Sequence, residues 1–375
     1  MKRVLIVNYE FPPIGGGGGV SALVLAKGFI EQGYEVDYLT SWYTGLKKFE
    51  VVEGINVHRI KVLGRTGLQT ATMISLLTYP IAGLIPGIRL CLTRKYSFIN
   101  THFVVPSGPL GFALALLFRL PHLLSIHGGD IYDPSKKASP HRHWYFRAAV
   151  RYLMNAADEV IAQSSNTKEN AVRLYGIARP IRIIPLAYEP FPFTPASRSE
   201  LGLSEGKRYL IGIGRLVARK DFSTFIRALA LLPEDVAGCL VGDGPERESL
   251  ERLASELAVS GRLQFVGAVS EEKKFQYLSN ADVYVLSSLH EGFGIVLQEA
   301  MQVGLPIVAT DNGGQIDLVN DGVNGYLVPV GDPSALAEAV QKVLGGGVPK
   351  QAGGVGAFAP KTIAGQYLDF YTSAT

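Results

Sequence analysis

Short β-branched runs alternate with helix-like patterns along almost the whole chain, and they do so in two series. VLIVNY (4–9) reads as a strand, VSALVLAKGFIEQ (20–32) as a helix with apolar residues three and four apart, and EVDYLTS (35–41) as a strand again. INVHRI (55–60), SFINTHF (97–103), HLLSIHG (122–128) and EVIAQS (159–164) continue the series. After the proline-rich PLAYEPFPFTP (185–195) the pattern restarts with YLIGIG (209–214), AGCLVGDG (237–244), LQFVGA (263–268), ADVYVLSS (281–288) and LPIVATD (305–311). Strands joined through helices form parallel sheets with right-handed crossovers. The expected fold class is α/β, with two doubly wound (Rossmann-like) parallel-sheet domains facing a cleft. The expected boundaries are 1–184 and 185–355. Residues 356–375 should form a C-terminal helix that crosses back to the first domain, because Ile363, Tyr367, Leu368 and Tyr371 recover helical spacing after the glycine-rich 345–360. Ligands of such sheets sit beyond the carboxyl ends of the strands, so that is where chemistry is sought.

Composition agrees. With 47% hydrophobic and 18% charged residues, 375 residues describe a globular chain and exclude a disordered one. Cys91 and Cys239 lie far apart in apolar runs without metal-ligand spacing, which fits buried, reduced thiols. MKR followed only by VLIV is too short for a signal-peptide core, so a cytoplasmic place is expected, with a peripheral one at the inner face of the cytoplasmic membrane. Residues 1–184 hold 21 Lys/Arg against 11 Asp/Glu, and residues 185–375 hold 15 against 22. The basic half suits an anionic partner, although drift in surface composition gives the same asymmetry. No aromatic-basic repeat or known module supports nucleic acid as that partner.

Thr66 to Ile88 contains no charge and is bounded by Arg65 and Arg89. It is long enough to span a bilayer, but Pro80, Pro86, three glycines, Gln69 and the threonines weaken a spanning helix. An interfacial or acceptor-facing helix and an ordinary core helix both stay open. KKASPHRHWYFRAAVRY (136–152) adds mixed basic and aromatic residues to the same half.

Four stretches carry chemistry. FPPIGGGGGV places Gly15 to Gly19 between the first strand and first helix, where bare amides and the helix dipole favour an anion. A dinucleotide loop would want an acid at the end of the second strand, but that strand ends Thr40-Ser41, with Asp37 inside it. A plain flexible turn is the third reading. In the second half, GRLVARKD puts Arg215 and Lys220 on a turn just after a strand, able to clamp a diphosphate or to form a plain solvated charged turn. SLHEGFGIVLQEAMQVG sets Glu291 and Glu299 eight apart around the Gly292-Phe293-Gly294 turn, with a helix following. That spacing separates the carboxyls by roughly 10–12 Å, too far for a paired-carboxylate hydrolase and suited to two jobs on one extended ligand. SIHGGD places His127 at a strand end.

GRLVARK, VGDGPE and EGFGIVLQEAMQVGLPIVATDNGG followed by DGVNGYLVPVGD resemble the retaining glycosyltransferases of family 4, and FPPIGGGG, QGYEV and SIHGGD match the N-terminal half of that family. The resemblance covers nearly the whole chain. It implies the B-type glycosyltransferase fold and transfer of a sugar from a nucleotide diphosphate donor, with anomeric configuration retained, no cofactor and usually no metal. It implies a diphosphate clamp at Arg215 and Lys220, ribose hydroxyls at Glu299, donor-sugar hydroxyls at Glu291, and amides of Phe293 and Gly294 at sugar and phosphate. Gly16 and Gly17 correspond to the glycine pair of the N-terminal loop, His127 to the histidine beside the reacting sugar, and Asp130 to a weaker acceptor-side candidate. Asp221 follows Lys220 where the family often has glycine, and Asp317 stands where it often has glutamate. Pro185-Leu186-Ala187-Tyr188-Glu189 replaces the usual interdomain Pro-Asn-Gly-Val-Asp, and the glycine-rich tail replaces a charged stretch.

The expected acceptor is a lipid-linked molecule or a glycan, bound by the basic half at an anionic membrane surface, in envelope polysaccharide or glycolipid synthesis. The rivals are a sugar-nucleotide epimerase or hydrolase on the same fold, a nicotinamide oxidoreductase, and a non-catalytic nucleotide-sugar-binding subunit.

Overall fold

The computed structural model describes residues 2–68, 71–133, 139–351 and 354–373. Lys136 to Ala138 of the basic-aromatic stretch, Gln69 and Thr70 in the uncharged segment, and the Tyr371 side chain lie outside that description. The chain divides into two compact units, Met1–Glu189 with Ala357–Thr375, and Pro190–Gly356.

The first unit is built on strands β1 (Arg3–Val7), β2 (Glu35–Trp42), β3 (Phe49–Val52), β4 (Ile55–Lys61), β5 (Phe98–His102), β6 (His122–Ile126), β7 (Glu159–Ala162) and β8 (Ile181–Ile183). They lie in the order β3-β4-β2-β1-β5-β6-β7-β8, all parallel except the β3–β4 hairpin at one edge. Val4 and Ile6 face one layer, which includes α1 (Gly17–Glu31) and α11 (Pro360–Ser373). Leu5 and Val7 face the other, which includes α2 (Met73–Thr93) and α3 (Gly108–Phe118). This period-2 alternation is what burial on both faces demands of a central strand. α4 (Trp144–Ala156) and α5 (Ser165–Tyr175) complete the unit.

The expected return of the last helix is present. Ile363, Ala364 and Tyr367 join the core that holds Phe29 and Phe98, and the Pro360 carbonyl lies where a Cβ on Gly28 would stand, 2.1 Å from it. Two expectations are corrected. The first helix begins at Gly17, three residues before the Val20 that propensity suggests, because close packing of Gly18 on Phe103 and of Gly19 on Glu10 and Ile14 offsets the roughly 1 kcal/mol per residue by which glycine disfavours a helix. α2 continues unbroken through Pro80 and Pro86.

The second unit carries β9 (Arg208–Ile213), β10 (Val236–Val241), β11 (Leu263–Gly267), β12 (Val283–Leu286), β13 (Ile307–Thr310) and β14 (Gly325–Val328) in the order β11-β10-β9-β12-β13-β14, all parallel. Its helices are α6 (Phe222–Ala230), α7 (Arg247–Glu256), α8 (Glu271–Asn280), α9 (Ile295–Gln302) and α10 (Pro333–Lys342). The glycine-rich tail, read as a loop or linker, is tied down at Lys350 and Gln351, which donate to the carbonyls of Ala281 and Gly304.

Candidate active site

Each sheet has one place where the strand order reverses. In the second unit the chain runs outward from β9 to β10 and β11, then returns to β12 on the other side of β9. Connections leave the carboxyl ends of β9 and β12 in opposite directions and open a crevice there. Gly214 follows β9 with φ +152°, and a Cβ on it would stand 3.0 Å from Lys220 Cε. Only glycine lets the lysine chain cross the strand end beside Arg215. Gly242, at φ +132°, packs backbone against backbone: its Cβ would fall 2.0 Å from the Gly214 carbonyl oxygen.

Glu291 fills this crevice. Lys220 Nζ donates to its Oε1 at 2.6 Å, Ser288 Oγ donates to the same oxygen at 2.8 Å, and Arg219 Nη1 pairs with Oε2 at 2.8 Å. Arg219 also donates to the His290 carbonyl at 2.7 Å. Burial by itself would raise this carboxyl; Lys220 and Arg219 outweigh it and hold it down at about 2. Two cations thus share one carboxylate, and the exposed Arg215 lies on the turn that follows β9. The cluster carries surplus positive charge at a strand end, the right sign for a diphosphate.

The segment after Glu291 is fixed by close backbone packing. Gly294, at φ +98°, is the N-cap of α9, and no side chain caps it. Phe293 is buried. The loop after β13 presses on this turn: a Cβ on Gly313 would meet Glu291 O at 2.4 Å, and one on Gly314 would meet Gly292 O at 2.2 Å. Gly314 N donates to Glu291 O at 2.8 Å. One turn into α9 lies Glu299, whose Oε1 accepts from Lys274 Nζ at 2.7 Å and whose buried Oε2 has no hydrogen-bond partner among the described residues. Burial holds this carboxyl above the usual range, against the pull of Lys274. A buried acceptor left unmatched costs about 1–3 kcal/mol.

In the first unit the order reverses between β1 and β5. The glycine run follows β1, and Phe103, at φ +69°, follows β5. They meet, since a Cβ on Gly18 would lie 2.2 Å from the Phe103 ring. Gly16 and Gly17 are exposed, and Gly16 N donates to Glu10 Oε2 at 3.1 Å. The helix entrance therefore already holds a carboxylate, which the sequence reading did not foresee. His127 is buried against the Phe103 ring, 4.3 Å between centroids. Its Nε2 meets His102 Nδ1 at 2.9 Å, and Gln163 Nε2 meets its Nδ1. Burial keeps both imidazoles neutral, His127 well below its ordinary value and His102 at about 3. Asp130 accepts from the backbone N–H of His127 at 2.9 Å and of Val104 at 2.7 Å, so it ties the β5 and β6 loops together. Asp37, the alternative ribose acid, is buried among Arg94, His58 and Tyr96 in the β2 layer.

The structure thus brings Lys220, Glu291, Phe293 and Gly294 together, with Arg215 alongside and Glu299 one helical turn away. Arg219 and Lys274 escaped the sequence reading. Their signal was slight: a basic residue next to Lys220 in one case, and a lysine in an EEKK run that looks solvent-facing in the other.

The model of the family described as Glycosyltransferase Family 4 matches residues 15–190, and that described as Glycosyl transferases group 1 matches residues 193–352. An uncharacterized glycosyltransferase of Methanocaldococcus jannaschii is 29% identical over 366 residues, covering 91% of this chain and 89% of its own. The D-inositol 3-phosphate glycosyltransferase of Xylanimonas cellulosilytica is 27% identical, with 96% and 92% covered. Among solved structures, the sucrose-phosphate synthase of Thermosynechococcus elongatus superposes with a TM-score of 0.79 at 25% identity, covering all of this chain and 94% of the other. With both halves matched and both sheets doubly wound, the chain belongs to the group 1 and family 4 glycosyltransferases and has their B-type fold.

Proposed function

We propose that this glycosyltransferase moves a sugar from a nucleotide diphosphate sugar to a lipid-linked or glycan acceptor, with retained anomeric configuration and without a metal ion, in envelope polysaccharide or glycolipid synthesis. The observation that carries the reading is the junction of Lys220, Arg219 and Glu291 at the second sheet's reversal point. Lys220 and Arg215 take the diphosphate, the amides of Phe293 and Gly294 lie toward phosphate and sugar, Glu291 accepts from sugar hydroxyls, and Glu299 Oε2 accepts from the ribose. In the transfer, the bond between the anomeric carbon and the β-phosphate oxygen breaks with its electron pair left on phosphate. The acceptor hydroxyl forms the new bond on the same face, and its proton passes to the departing phosphate. The barrier lies mostly in the charge shed onto phosphate, which fixed cations and amides stabilise without reorganising. In the first unit the reading assigns Gly16 and Gly17 to the donor, His127 to the reacting sugar and Asp130 to the acceptor, all at or beside that unit's reversal point.

The reading has support from a relative named for lipopolysaccharide core biosynthesis. It is the lipopolysaccharide core biosynthesis glycosyltransferase of Rhizobium meliloti, 34% identical over 52% of this chain and 56% of its own. A thermal-shift panel of uridine, guanosine and adenosine diphosphate sugars tests it. At least one should raise the melting temperature of the wild type, and Lys220→Ala should abolish that rise. If none does so at millimolar concentration, the reading is wrong.

A further inference from the structure

α2 is apolar all around, yet only one side of it is covered. Tyr79, Gly83, Gly87 and Leu90 face inward; Tyr79 OH donates to the Leu39 carbonyl at 2.7 Å, and Gly83 and Gly87 seat Leu110 and Leu114 of α3. At 3.6 residues per turn, Ile74, Leu77, Ile81, Ile85 and Leu92 fall together on the opposite side. They are 59%, 52%, 76%, 79% and 73% exposed. Scattered surface hydrophobics are ordinary; a stripe five turns long is not. An all-apolar helix belongs in a core or against a membrane, and the folded chain covers half of this one.

The stripe continues onto α3. Because Gly83 meets Leu110 and Gly87 meets Leu114, the two helices run the same way and end at the same place. There Leu116 and Leu117 are 68% and 59% exposed. Tyr152 of α4 is exposed too, its ring 5.5 Å from Phe112. The charge around this surface has one sign. From Gly54 to Gly129 there is no Asp or Glu, against seven Lys and Arg. Of these, Lys61, Arg89, Lys95 and Arg119 are exposed, and the last three lie at or near the shared helix ends.

We infer that the exposed stripe of α2 with the end of α3 seats on an anionic lipid bilayer, its isoleucines and leucines entering the headgroup boundary while Arg89, Lys95 and Arg119 meet the lipid phosphates. Apolar burial and attraction to anionic headgroups act together in such interfacial helices, and neither alone holds a protein firmly. The packing of α2 on the β-sheet makes this an in-plane contact. It names the membrane partner of the acceptor-side unit and rests on the lipid-linked acceptor reading for its purpose alone; the binding is measured without donor or acceptor.

Flotation with vesicles of phosphatidylcholine containing about a third phosphatidylglycerol tests it, beside pure phosphatidylcholine. At low salt the wild type should float with the anionic vesicles and fall away as the Debye length shrinks. Ile81→Glu with Ile85→Glu should cut binding at least tenfold, and Arg89→Gln with Lys95→Gln should remove its salt dependence. Both variants should keep the wild-type melting temperature within about 2 °C, as surface changes do. No flotation of the wild type, or equal flotation of the isoleucine variant, overturns the inference. So does a sedimentation result in which the isoleucine variant turns a wild-type dimer into a monomer and lipid has no effect, since the stripe is then an interface between two copies.

Discussion

The two sheets have the same reversal of strand order and fill it with opposite chemistry. In the second unit the reversal point is ionic, with Lys220 and Arg219 on the Glu291 carboxylate. In the first, His127 and His102 are uncharged, Phe103 packs against the glycines, and the carboxyls of Glu10 and Asp130 accept from backbone N–H groups. A shared topology provides the place, and the residues at the strand ends decide what it attracts. The ionic crevice suits the group whose charge changes most in the proposed reaction. The other, whose carboxyls are occupied by backbone N–H groups and whose histidines are uncharged, suits a group that must be positioned without being ionised.

Removing the charge on one side should give the largest effect. Lys220→Ala is expected to lower turnover by about 10²- to 10³-fold with donor saturating, because one fixed donor to developing charge is worth that much. His102→Asn in the other unit should cost less than a tenth of that loss on a logarithmic scale in the same assay, if the first unit's crevice only positions groups. Comparable losses would erase the contrast.

Acid should separate the two next. Glu291 sits below its ordinary value in the fold, so its contribution is present above the unfolded pKa and is lost as pH falls from the ordinary carboxylate range toward about 2. It amounts to about 3 kcal/mol, and Glu291→Gln should flatten that limb of the stability curve measured by urea unfolding. The neutral histidines act at higher pH. His102 is depressed to about 3, so the unfolded chain takes up a proton first and stability falls as pH drops below about 6.5. Between pH 6.5 and 5 the loss should be about 2 kcal/mol, and His102→Asn should reduce it.

The smallest test lies within the glycine run. A Cβ on Gly18 would collide with the Phe103 ring, whereas one on Gly16 meets nothing within 4 Å. Gly18→Ala should destabilise by about 1–3 kcal/mol, and Gly16→Ala by less than about 0.5 kcal/mol, in the same unfolding measurement.

What could be read in advance was local. The strand and helix series followed from periodicity, and the Glu291–Glu299 segment from glycines and acids a few residues apart. The β3–β4 hairpin was missed although Glu53 and Gly54, at φ +50° and +82°, form its turn, because FEVV is short and half charged at its centre. Arg219 and Lys274 were missed for a different reason. Which carboxylate a cation meets depends on the neighbour a strand acquires in the sheet, and Lys274 reaches Glu299 from another helix. The covered and uncovered sides of α2 were also beyond reach, since an apolar helix gives no sign of which half the sheet will claim.

The helix α11 lies against α1 and completes the core around Phe29 and Phe98, yet its codons are read after those of the entire second unit. During synthesis the first helix of the opening half is therefore bare on one flank until the final segment is released. The first unit can therefore complete its core only after the whole of the second has been translated.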